Sequence, residues 1–211
     1  MNENEQMNAN KINEPVVDKK TLFWNRFQLI MILVVFVAPI AGAFLYKPKS
    51  FSNYGDIYSP VRLVKNITMH GEGGQVEFDS FRRQWVMLVT AKGECGEACE
   101  NNILKIRQLR SMQNNDMVRI RTVFMHSGID QEISSDLDAK YQPMESYHIE
   151  PSEFNEWTQI LKIENAPVNA QKDRIYIIDP AGNLMMSYPA SAEPALINKD
   201  IKRLLKTSQI G

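Results

Sequence analysis

The sequence predicts an α/β domain, a central mixed sheet flanked by helices, carried behind one membrane-spanning helix. Three stretches predict it: an uncharged apolar run from Phe27 to Tyr46, a strand-helix-strand succession from Gln84 to Met125, and a strand-turn-strand-helix succession from Arg174 to Lys206. Of the 211 residues, 44% are hydrophobic and 23% charged, the ordinary balance of a folded domain, so the distal part needs no metal or disulfide framework to pack. The formal charge of -1 excludes nucleic acid as the main partner, because phosphate binding requires a basic excess on one face.

Residues 1–22, rich in Asn, Glu and Lys, read as a disordered cytoplasmic tail. Residues 23–46 read as the anchor: FQLIMILVVFVAPIAGAFLY carries no charge, and about 20 apolar residues span the hydrocarbon core of a bilayer. Pro39 and Gly42 are placed near the far interface, where a loosened turn finds water. Lys19, Lys20 and Arg26 before the span bias the N-terminus toward the cytoplasm, against Lys47 and Lys49 behind it. The competing reading is a cleaved signal at Ala41-Gly42-Ala43. Either way the distal domain is expected on the periplasmic side of the inner (plasma) membrane.

Residues 47–58 read as a linker and 59–208 as the exported domain. Gln84–Ala91, continuously apolar, is expected as a central strand covered on both faces. The loop KGECGEAC follows, then an amphipathic helix with Ile103, Ile106, Leu109 and Met112 on its inner face. Met117–Met125 reads as the next strand, closing a right-handed βαβ unit. Helices are expected over Gln131–Tyr141 and Ser152–Leu161, a hairpin over Arg174–Tyr188, and a last helix with Ile201, Leu204 and Leu205 inward. The order βαβ, crossover, ββα is that of a thioredoxin-like fold, and it puts Cys95 and Cys99 at the tip of the first central strand.

These are the only two cysteines. At a strand-to-helix junction the unpaired helix amides favour a thiolate. A bridge closing so small a loop adds only about 2 kcal/mol in the chain-entropy model, so stapling is a poor reason for it. Reversible redox at Cys95 and Cys99, or soft-metal binding by them, is the better reason. Two thiolates select Cu(I), whereas zinc requires four ligands that no second motif supplies. The bland alternative is an inert bridge in an oxidising compartment. Lys92, Gly93, Glu94 and Gly96 place the pair in a mobile, exposed loop. The 11 methionines are scattered, and Met69, Met87, Met112, Met117 and Met125 read as core filler. Arg107 and Arg110 read as the wet face of the helix, and Asp130 and Glu132 as solvated.

Lys-Gly-Glu-Cys-Gly-Glu-Ala-Cys after an apolar strand, Phe81-Arg82-Arg83-Gln84-Trp85 before it, and Ile-Tyr-Ile-Ile-Asp-Pro-Ala-Gly-Asn from Ile175 resemble the Sco/SenC family of membrane-anchored copper chaperones. The resemblance covers roughly residues 55–206 and the anchor. It implies a thioredoxin-like fold, Cu(I) held by a CxxxC pair with a distant histidine, and cytochrome c oxidase or its assembly factors as partner. Gln171 stands at the position of the family's histidine, and Glu100 where a proline usually follows the second cysteine. Gln is a poor Cu(I) ligand, so copper rests on Cys95 and Cys99, with His126 at the end of a central strand as substitute third ligand. His70 and His148, like His126 otherwise, read as surface or loop residues.

The resemblance therefore implies a divergent Sco-like factor for the oxidase copper centre, working through its thiol pair as a chaperone, with copper or no cofactor. The alternatives are a membrane-bound thiol-disulfide oxidoreductase, against which the missing CxxC weighs, and a non-catalytic assembly scaffold that has lost metal binding. A peroxidase is disfavoured, because Thr90 does not stand in a TxxC arrangement.

Overall fold

A computed structural model describes residues 19–45, 53–129, 136–137, 139–163 and 172–208. The chain divides into two units, Met1–Phe51 and Ser52–Gly211. In the first, helix α1 runs Lys19–Leu45 with Pro39 inside it. Its Phe23–Gly42 segment is long and apolar enough to cross a membrane, and none of it is buried. Helical geometry makes 27 residues about 40 Å long, enough for the hydrocarbon core and both interfaces.

The second unit is built on one eight-stranded sheet. In chain order it contains β1 (Asp56–Leu63), β2 (Thr68–Gly71), β3 (Gly74–Glu77), β4 (Trp85–Lys92), α2 (Glu97–Ser111), β5 (Ile120–Ser127), β6 (Glu145–His148), α3 (Pro151–Trp157), β7 (Ile175–Ile178), β8 (Asn183–Tyr188) and α4 (Pro194–Thr207). The spatial order is β1-β8-β7-β4-β5-β6-β2-β3. Strands β4, β5 and β6 run parallel, and β7 joins β4 antiparallel, so the sheet is mixed. β1 begins at Asp56, inside the stretch read as linker.

Side-chain alternation splits the core into two layers. Met87 and Val89 of β4 and Phe124 of β5 face α2 and α4, whose Ile103, Ile106, Ile197 and Ile201 close that layer. Val86 and Leu88 of β4 and Val123 and Met125 of β5 face Phe154 and Trp157 of α3 and Tyr58 of β1. Each such large side chain contributes about 2 kcal/mol relative to exposure, which is why β4, apolar without alternation, lies at the centre under both layers.

Three sequence expectations are corrected. Asn114–Arg119 is a 3-10 turn and β5 starts only at Ile120. Met117 and Val118 are exposed there, and Met112 is 44% exposed at the end of α2, so Met112 and Met117 are not core filler. The turn is held instead by Arg119, which donates to the carbonyls of Leu205 and Ser208 at the end of α4. Second, the histidines lie on strands rather than in loops: His126 pairs with His148, and His148 with His70, in one row across β5, β6 and β2, with His70 at the surface as expected and His126 buried. Third, the expected Ser152–Leu161 helix begins with Pro151 and tightens to 3-10 geometry from Thr158. Of the expected 131–141 helix, residues 136–137 and 139–141 are described and helical; the others, with Asp130 and Glu132, lie outside the described residues.

Candidate functional site

The parallel register of β4 and β5 brings Lys92 beside Ser127, so both strands end together at one rim of the sheet. Gly93 leaves β4 with φ of +81°, a left-handed conformation that favours glycine, and its N–H donates to the Ser127 carbonyl at 2.8 Å. Two residues later Cys95 stands half-buried, and Gly96 caps the start of α2. Cys99 is the third residue of that helix. Its sulfur is bonded to that of Cys95, with the Cα atoms 5.2 Å apart.

The expectation of two exposed cysteines is met in part. The loop residues Lys92, Gly93, Glu94 and Gly96 are exposed, but Cys99 is 2% exposed and belongs to the α2 layer of the core. The helix is the reason: a residue in its first turn with the periodicity of Ile103 and Ile106 points to the sheet. The pair is therefore unequal. Cys95 is the more exposed residue of the two, and Cys99 has the unpaired amides of the first turn of α2 beside it, which would favour a thiolate there.

Beside Cys99 opens a cleft of about 540 Å³, lined also by Glu94, Phe154, Lys172, Asp173 and Tyr176. Gln171, the residue at the family's histidine position, lies outside the described residues. Glu100 is fixed by a cluster the sequence did not disclose. Its Oε2 accepts from the Tyr141 hydroxyl at 2.6 Å and from Lys140 Nζ at 2.7 Å. Lys140 first, then Tyr141, hold its carboxyl below the ordinary glutamate value. Asn102, buried one turn beyond Cys99, was likewise unread: no spacing rule marks a single Asn within an amphipathic pattern.

His126, the substitute third ligand, is buried on β5 next to Phe124 and His148, with ring centroids at 5.3 and 5.6 Å. Burial, with His148 adding to it, pushes His126 down to about 4, so its imidazole is neutral at physiological pH. Neutrality suits a ligand. Yet among the described residues no three His, Cys, Asp or Glu side chains converge on a point that could hold a metal ion. Joined as a disulfide, the two sulfurs are not thiolates, and reduction would yield two ligands without a third. The described residues thus do not fit the three-ligand copper site that the resemblance implied.

A family model described as "Transmembrane-like, thioredoxin-like, C-terminal domain" matches residues 85–208, from the first residue of β4 to the end of α4. No curated protein matches the chain in sequence. Among solved structures, apo Sco1 of Thermus thermophilus is similar at 14% identity and a TM-score of 0.57, over 74% of this chain and 99% of that one. Copper-bound ScoI of Bradyrhizobium japonicum follows at 15% identity and 0.52, over 67% and 98%. The thioredoxin domain of a thiol-disulfide oxidoreductase from Bacteroides vulgatus gives 10% and 0.53, over 68% and 95%. At these identities the likeness is one of fold.

Proposed function

The chain belongs to the transmembrane-like, thioredoxin-like C-terminal domain family, and on that premise we propose that it is a membrane-tethered, Sco-like thiol-disulfide factor acting on partner cysteines in assembly of the cytochrome c oxidase copper centre. Its anchor is α1 in the inner membrane, with the folded unit on the periplasmic side. The observation that carries this reading is the unequal pair at the rim of β4, Cys95 half-buried and Cys99 buried in the first turn of α2. A bridge kept only for stability has no need of one accessible sulfur. An exchange site does.

In the exchange a partner thiolate attacks Cys95 Sγ and the intramolecular S–S bond breaks. Cys99 leaves as a thiolate and takes a proton from water. A second partner thiolate then attacks the partner's sulfur in the mixed disulfide, and Cys95 leaves. The partner dithiol is oxidised by two electrons and the Cys95–Cys99 pair reduced; run in reverse, the same steps reduce a partner disulfide. Copper enters no step, because the two sulfurs suffice for exchange.

The test is a complementation experiment with the full chain. Cys95→Ser and Cys99→Ser are each expected to lower assembled oxidase by about tenfold or more, and Cys99→Ser to trap a mixed disulfide through Cys95, visible after alkylation on a non-reducing gel. Full oxidase assembly with both serine variants would overturn the proposal in favour of the scaffold reading.

A further inference from the structure

We propose that Asn102 is a positioning residue of the exchange site, fixing the Lys172–Asp173 turn as a docking wall for the partner's cysteine-bearing peptide. The inference rests on the exchange reading above and adds a determinant of peptide binding outside the cysteine pair.

Asn102 is 0% exposed on α2, one turn beyond Cys99, on a face it shares with Ile103 and Ile106. Its Oδ1 has no hydrogen-bond partner among the described residues. An apolar side chain would cost less there than an amide with one unmet acceptor. Packing therefore does not account for asparagine at this position. The other half of the amide does: Nδ2 donates to the Asp173 carbonyl at 2.7 Å, across 71 residues of sequence.

Asp173 needs such a hold. Its φ is +48°, in the left-handed region, which is strained for a residue with a Cβ. On its far side Arg174 is buried and bonded to Ser187 Oγ at 3.0 Å and to Asp56, and β7 then pairs with β4 from Ile175 onward. With Arg174 locked on one side and the carbonyl of Asp173 drawn to Asn102, Lys172 and Asp173 line the cleft that Cys99 and Glu94 line from α2 and its loop. Because the tether starts from the cysteine helix itself, the spacing between disulfide and wall is set by one bond between side chain and backbone. Glu94 and Gly96, the neighbours of Cys95 on either side, line the same cleft, so a peptide presenting its thiolate to Cys95 would meet that wall.

The experiment uses the full chain in detergent, oxidised, with two reductants: glutathione, which needs no wall, and a synthetic dithiol peptide carrying Cys-x-x-x-Cys. In Asn102→Ala the half-saturation concentration for the peptide is expected to rise about fivefold, the worth of one hydrogen bond, while the limiting rate and the glutathione rate stay within about twofold. Asn102→Ser, which keeps a donor on a shorter arm, should fall between wild type and Ala and guards against loss of fold. An unchanged half-saturation concentration with a lowered melting temperature would make Asn102 merely structural and overturn this inference alone. An equal change in peptide and glutathione rates would overturn it too. A wild-type chain that exchanges with neither reagent would overturn the exchange reading and this inference together.

Discussion

Two polar clusters inside the domain carry different duties. At the α4 corner, Asp200 Oδ2 accepts from the backbone N–H of Tyr54 at 2.7 Å, from that of Gly55 at 3.3 Å and from the Tyr188 hydroxyl at 3.1 Å, with the carboxylate fully buried. At the α2 corner, Glu100 receives Tyr141 and Lys140 at similar distances but is about one-third exposed, and Lys140 more so. The first cluster pins the chain where it enters the folded unit. The second braces the helix of the reactive pair and stays wet. A sealed charge holds structure because losing it strands every donor it served, whereas a half-open one yields its partners to water at little cost.

The strongest way to break this contrast is Asp200→Ala. It would take the acceptor from two part-buried amides and leave the buried Tyr188 hydroxyl with only Met186 Sδ at 3.0 Å, and is expected to lower unfolding free energy by about 4 kcal/mol in a urea titration. A loss below about 1 kcal/mol would show that water reaches the corner and that the contrast is false.

Acid should act on the cysteine end of the sheet through His126. Folded, it protonates only near 4; unfolded, it protonates near 6.5. Between those values the unfolded chain binds a proton that the folded chain refuses, so this contribution is whole above pH 6.5, falls as pH drops toward 4, and is level below. The loss is on the order of 3 kcal/mol. His126→Gln should flatten that part of the stability profile, and an unaltered slope would mean that the imidazole is not sealed as described.

The smallest effect is expected at Tyr141→Phe. Glu100 would keep Lys140 and gain water, so stability should fall by only about 1 kcal/mol, and the Glu100 carboxyl should titrate closer to its ordinary value by NMR. A fall as large as that of Asp200→Ala would place both clusters in one class.

The legible parts of this protein are those that short-range physics writes. The charge-free run of α1, the unbroken apolar β4, the Ile103, Ile106 and Leu109 spacing of α2 and the Pro-Ala-Gly-Asn turn between β7 and β8 are each fixed by neighbours within a few residues, and each forms the helix, strand or turn expected of it. Met112 and Met117 were misread because periodicity carries on past an element whose end is set elsewhere, here by Arg119 gripping the end of α4.

From the sequence came a helix able to cross a membrane, a strand-loop-helix junction, and two cysteines at its turn. Only the tertiary structure decided that Cys99 is buried while Cys95 is not, that His126, His148 and His70 align across three strands, and that Asn102 reaches Asp173. Propensity and period act over one or two turns of chain, but burial and register depend on which distant strand lands alongside, and that is settled by packing the whole sheet.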